Sequence, residues 1–115
     1  HLEEVVEQTG LYELADGTIL DSIKGILMNE EKTRQVQPQT IILLKLFLCT
    51  QDYRLTTEDI NKKLWEGKGN SSQIHAVIHR LREALKDVSS LIVEKEDKYY
   101  CLKMPHSIEK NSTEA

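Results

Sequence analysis

NSSQIHAVIHRLREALK, residues Asn70 to Lys86, is the stretch that decides how the rest of the chain must fold. Ile74, Ile78, Leu81 and Leu85 recur at i, i+4, i+7 and i+11, the spacing that lines apolar side chains along one stripe of an α-helix. That stripe is expected to be buried. Gln73, Ala76, Val77 and Arg80 follow the same spacing on an adjacent stripe, where hydrogen-bonding, small and cationic side chains are mixed and suited to reading a partner. Asn70 is a good N-cap, and Gln73 three residues on completes a capping box, so the helix starts here with Ser71 and Ser72 in its first turn. Its amino end then offers N–H groups to an anion such as a phosphate.

Downstream of Asp87 the chain reads LIVEKEDKYYCLKM, two β-prone runs joined by a charged turn at about Glu94 to Lys98. Upstream, Thr56 and Asp59 form another capping box and open a helix, TEDINKKLWEG, in which Ile60, Leu64 and Trp65 face inward and which Gly67 ends. About five residues separate it from the helix at Asn70, so the two form a helix-turn-helix unit. Before that, Pro38 and Gln39 open IILLKLFLC, a helix apolar on nearly all sides except Lys45. Proline is well tolerated at a first helical position, and a helix so apolar is expected to be central, with Gln51 to Arg54 as its exit turn. From Leu11 to Val36 the pattern is short β-prone pieces separated by Asp16-Gly17 and by the polar cluster Asn29 to Lys32, the signature of an antiparallel sheet of three or four strands.

The fold class expected is therefore α+β: an amino-terminal antiparallel sheet, three helices and a carboxy-terminal β-hairpin around one core, with Leu44, Leu48, Ile60, Leu64, Ile74, Ile78 and Leu81 inside. The domain spans residues 11–104. Residues 1–10 are an acidic lead-in, and residues 105–115 are a polar tail of linker composition.

A length of 115 residues suits a single core. The net charge of −4 by itself speaks against nucleic acid, but its distribution matters more than its sum. Residues 1–31 hold eight acidic residues against Lys24 alone, whereas residues 32–115 hold 14 basic and 11 acidic residues, so the second part can present a basic patch. Cys49 and Cys101 lack any CxxC or framework spacing and read as buried thiols. His75 and His79 stand at i, i+4, a metal-holding interval, but no third ligand accompanies them. No nucleophile, base and orienter occur together and no Gly-rich phosphate loop is present, so neither an enzyme nor a cofactor is expected.

The order of elements, and several residues within it, resembles the winged helix-turn-helix DNA-binding domain of the OmpR/PhoB-type transcriptional regulators. VQPQTIILLKLFL resembles that family's Leu-Thr-Pro-x-Glu-Phe-x-Leu-Leu-x-Leu-Leu helix. LTTEDINKKLWEG is similar to its Val-Ser-Arg-Glu-Glu-Leu-x-x-x-Val-Trp-Gly helix, and IHAVIHRLREALKD to its Val-Asp-Val-His-Ile-Ser-Arg-Leu-Arg-Lys-Lys-Leu recognition helix. The likeness covers about Leu11 to Lys103. Trp65 and the His79-Arg80-Leu81-Arg82 segment are its most specific signals. Where the family's wing carries Thr-Val-x-Gly-x-Gly-Tyr, this chain has Glu94, Lys95, Asp97, Tyr99 and Tyr100 and neither glycine.

The resemblance implies sequence-specific binding of promoter duplex DNA, with the helix at Asn70 to Lys86 in the major groove and the hairpin beside the backbone. Ser71, Ser72, Gln73, Ala76, Val77, Arg80, Arg82 and Lys86 would form the helix contacts, and Lys95 and Lys98 those of the hairpin. It implies RNA polymerase and a second copy on tandem sites as further partners. A DNA-binding domain followed by a short polar tail resembles the ToxR and CadC subgroup, which implies a cytoplasmic domain of an inner-membrane protein whose membrane segment lies beyond Ala115. The other reading of these residues is a winged-helix protein-interaction module that has lost DNA binding and uses Val77 and the apolar hairpin residues.

Overall fold

The computed structural model describes residues 10–50 and 52–104; the lead-in before Gly10 and the tail lie outside the described residues. Strands β1 (Leu11–Glu13), β2 (Ile19–Asp21), β3 (Ile26–Asn29) and β4 (Lys32–Gln35) come first. They are followed by α1 (Pro38–Cys49), β5 (Arg54–Thr56), α2 (Thr57–Trp65), α3 (Ser71–Val88), β6 (Ile92–Glu96) and β7 (Tyr99–Lys103). The architecture is α+β: a four-stranded antiparallel sheet, three helices and a terminal antiparallel hairpin.

The first sheet runs in simple order β1-β2-β3-β4, each strand turned back by local chemistry. Asp16 accepts the Thr18 N–H (3.1 Å) in the first turn. In the second, Asp21 accepts the N–H groups of Ile23 (3.1 Å) and Lys24 (2.9 Å), a side-chain mimic of a backbone turn. The third follows the Asn29 and Lys32 pair, with Glu30 left-handed at φ 57°. Register puts Tyr12, Leu20, Leu27 and Arg34 in one cross-strand row, and Leu20 and Leu27 in its middle are fully buried. Arg34, at the edge of that row, pairs with Asp87 on α3.

Helix α1 starts at Pro38, as expected, and buries Thr40, Leu43, Leu44 and Phe47. It is not covered all round: Ile42 is 43% exposed. Cys49 is also exposed, which corrects the expectation of two buried thiols; it is the last helical residue, whereas Cys101 lies buried in β7. Helix α2 is opened by the Thr56–Asp59 capping box and ends at Trp65, with Gly67 just past its C-cap as the glycine signal suggests. Its C-cap, Glu66, adopts the left-handed conformation at φ 55°, followed by Gly67 at φ 86°.

Helix α3 is opened by the Asn70–Gln73 capping box and contributes the largest apolar stripe: Ile74, Val77, Ile78, Leu81, Ala84, Leu85 and Val88 are all buried. Of the core residues expected from the sequence, Leu44, Ile60, Ile74, Ile78 and Leu81 are buried, and Leu48 and Leu64 pack half-buried against them. Trp65 packs there as well.

A strand the sequence did not suggest begins at the end of the expected exit turn. Arg54–Thr56 pairs with β7, so the terminal hairpin is part of a three-stranded sheet ordered β5-β7-β6. Leu55, Val93, Tyr100 and Leu102 line its buried face, and burying each such side chain stabilises the fold by about 1.5–3 kcal/mol. The two sheets are joined through the end of α3. There Asp16 Oδ2 accepts the Ser89 hydroxyl (2.7 Å) and the Ser90 N–H (2.8 Å). Burial works against the Asp16 charge, yet the bonds from Ser90, Ser89 and Thr18 outweigh it and hold the carboxyl below its ordinary range.

Candidate nucleic-acid interface

With one stripe of α3 in the core, the opposite side is largely exposed among the described residues. Ser72, Ala76, His79, Glu83 and Lys86 follow one another at helical spacing along the middle of this side, all exposed except the half-buried Ala76. Two flanks bound it. Arg80 lines a groove shared with β4 and the amino end of α1, whereas Arg82 and Lys86 line another shared with Ser89 to Val93 at the start of the hairpin.

Ser71 and Ser72 are exposed in the first turn of α3. Gln73 is exposed but engaged: its Oε1 accepts the Asn70 N–H (2.9 Å) while its own N–H is held by Asn70 Oδ1 (2.9 Å), so capping is its structural role. Val77 is a correction. It is fully buried with the core stripe, so it contacts no partner directly, because the arc of α3 facing the sheet and α1 is wider than the Ile74–Ile78–Leu81–Leu85 line alone. Arg80 is exposed and makes no ion pair among the described residues. His75 and His79, whose i, i+4 interval lacks a third ligand in the sequence, are both exposed, and no group of His, Cys, Asp and Glu among the described residues could hold a metal.

Arg82 does two things. Its Nε donates to the Val93 carbonyl (2.9 Å) and its guanidinium lies 5.9 Å from the centre of the Tyr100 ring, so it braces α3 against the hairpin. Arg82 as a whole is exposed. Lys95 also reaches over Tyr100, at 5.6 Å, which gathers two cations around one buried ring.

The pleat of the hairpin sorts its charges. Lys95 alternates with Val93 and pairs with Tyr100, so it stands on the face that packs toward α3. Glu94 and Glu96 lie on the other face, where Lys103 bonds both of them and Arg54 lies 4.0 Å from Glu96. The hydrogen bond from Lys103 holds the Glu96 carboxyl below its usual range, and its two acidic partners raise Lys103. Lys98 is exposed in the two-residue turn Asp97-Lys98, tighter than the span the sequence suggested. Glu94 and Glu96 are thus turned away from α3 and paired, while Asp97 is exposed in the turn.

Sequence reasoning missed one wall of the site. Thr40 of α1, its N-cap Gln37 and Arg34 of β4 stand across the groove from Arg80. Pro38 at the first helical position was the available signal, since it fixes where that amino end lies. No family model matches the chain, and no curated protein matches it. No helix among the described residues is long and apolar enough to cross a membrane.

Proposed function

We propose that this is a winged helix-turn-helix domain of the OmpR/PhoB type that binds promoter duplex DNA, as part of a bacterial transcriptional regulator. Helix α3 enters the major groove by its free side, and the β6–β7 hairpin is the wing, lying along the backbone. The observation that carries this reading is the charge sorting of the hairpin: Glu94 and Glu96 are paired with Lys103 on the far face, while Lys95 and Arg82 meet around Tyr100 beside α3. Arg82, Lys86, Lys95 and Lys98 supply backbone contacts, the exposed Ser71, Ser72, Gln73 and His79 lie at the major-groove edge, and the half-buried Ala76 lets the helix approach closely.

RNA polymerase and a second copy on tandem sites fit the same reading as partners, as does a cytoplasmic location next to an inner-membrane segment in a ToxR-like or CadC-like protein. The competing protein-interaction reading uses Val77 and the apolar hairpin residues; Val77 is in the core, which removes one of its two anchors.

Fluorescence anisotropy against promoter duplex and scrambled duplex, at two salt concentrations, tests the proposal. Affinity falls steeply with salt, and Lys98→Ala makes the log–log slope shallower by about one unit. Absence of binding to any duplex at low salt, with the fold intact by circular dichroism, rejects it.

A further inference from the structure

A groove of about 540 Å³ separates the amino end of α1 from α3, with Arg34, Gln37, Thr40, His79, Arg80 and Glu83 among its walls. Three features of it point to an anion. The first is the open end of α1. Gln37 gives no side-chain cap and the first turn carries no acid, whereas both other described helices are closed by capping boxes. Pro38 has no N–H and the Ile41 N–H already reaches the Gln37 carbonyl (3.0 Å), so the Gln39 and Thr40 N–H groups are the orphan donors of this turn.

The second is Thr40 itself. It is only 2% exposed, yet its hydroxyl bonds no described residue, and no buried side-chain oxygen of the described residues is cut off from both solvent and a partner. The hydroxyl therefore opens on the groove that Thr40 lines. A buried hydroxyl without a partner is costly, and one facing a groove is satisfied by what enters it. The third is Arg80, exposed on the opposite wall and free of any ion pair among the described residues, while Arg34 is occupied by Asp87.

We infer that this groove is a phosphate site, in which a backbone phosphate of bound duplex is held between the Arg80 guanidinium and the amino end of α1, with the Thr40 hydroxyl as a further donor. The inference rests on the DNA-binding reading and assigns Arg80 to the backbone, not to a base edge. A helix seated in the major groove has one strand's phosphates on each flank. The hairpin serves one flank with Arg82, Lys95 and Lys98, and this groove serves the other. Glu83, the groove's carboxylate, opposes the anion and tempers its affinity.

The test measures duplex binding by anisotropy for Thr40→Val, Arg80→Lys, Arg80→Ala and Glu83→Gln, with melting curves to confirm folding, alongside an inorganic phosphate titration followed by the amide shifts of Gln39 and Thr40. Thr40→Val should weaken promoter and scrambled duplex alike by about fivefold, the loss of roughly one hydrogen bond. Arg80→Lys should keep the preference for promoter over scrambled duplex, because a lysine still serves a phosphate but cannot fork onto a base. Arg80→Ala should make the salt slope shallower by about one unit, and Glu83→Gln should tighten both duplexes. Phosphate should shift the Gln39 and Thr40 amides. Unchanged binding by Thr40→Val, or loss of promoter preference in Arg80→Lys with scrambled binding retained, overturns the inference and leaves the DNA-binding reading standing. If the wild type binds no duplex, that reading falls. Phosphate shifts at Gln39 and Thr40 would then show a free-anion site and overturn nucleic acid as its ligand, and their absence overturns the site itself.

Discussion

The side-chain amide of Asn61 holds the backbone of Gly69 at both of its polar atoms: Nδ2 donates to the Gly69 carbonyl (3.1 Å) and Oδ1 accepts the Gly69 N–H (2.8 Å). This clasp fixes the link between α2 and α3 one residue before the Asn70 cap, and so sets where α3 begins relative to the helix it packs on. Trp65 lies over the same spot, leaving no room for a side chain. A Cβ on Gly69 would sit 2.6 Å from Trp65 Cε3. Gly69→Ala should therefore destabilise the fold by about 1–3 kcal/mol through overpacking. Asn61→Ala should cost about 1–3 kcal/mol by stripping both Gly69 groups of their partner. Urea unfolding of the two variants checks both values, and wild-type midpoints would contradict the clasp.

Asp16 makes stability depend on pH at the junction of the sheets. Its carboxyl is held below the ordinary value of 3.8 by bonds from Ser90, Ser89 and Thr18. A depressed folded value means that the stabilisation is fully present above the unfolded value and is lost as pH falls through the folded one. The stability gap between wild type and Asp16→Ala should be constant from about pH 7 to pH 5 and close progressively below about pH 4. Urea midpoints across that range measure it. A gap that widened on acidification would show that Asp16 is not acting as a charged acceptor.

Val77 separates core from contact surface. Because it is fully buried, Val77→Ala should destabilise by about 1–3 kcal/mol while leaving the affinity of the folded protein for duplex unchanged. A variant with wild-type stability and weakened DNA binding would return Val77 to the contact surface.

Arg82 should show both of its roles in one variant. Arg82→Ala removes the bond to the Val93 carbonyl and the contact with Tyr100, so it should lower stability by about 1–2 kcal/mol and also make the salt slope of duplex binding shallower. Arg82→Lys should recover most of the slope and little of the stability, since a lysine keeps the charge without the guanidinium's planar fork. Equal recovery of both would mean that the brace depends on charge alone.

Much of this arrangement is legible before any coordinates, and what is not has identifiable physical causes. Both capping boxes and Pro38 at a first helical position are local signals whose partners lie within one helical turn, and all three occur where expected. The strand Arg54–Thr56 was hidden because it has one buried apolar residue, Leu55, and exists through pairing with β7, more than 40 residues away. Val77 was misplaced because helical spacing gives the centre of a buried stripe but not its width, which the packed neighbours set. The pairing of Glu94 and Glu96 with Lys103 depends on the hairpin register, which follows from the two-residue turn. The Thr40 and Arg80 groove joins α1 to α3 across 40 positions and leaves no local pattern.

In the proposed function, the exposed side of α3 and the Lys95 and Lys98 region of the hairpin form one DNA-binding surface. A two-dimensional 1H–15N NMR titration of the chain with promoter duplex tests that claim most directly, because it reports every backbone amide at once. The largest shifts should fall in residues 39–40, 71–86 and 95–98 and weaken as salt is raised, while amides around the exposed Ile23 stay in place. Shifts concentrated around Ile23, or none anywhere at low salt, would contradict it.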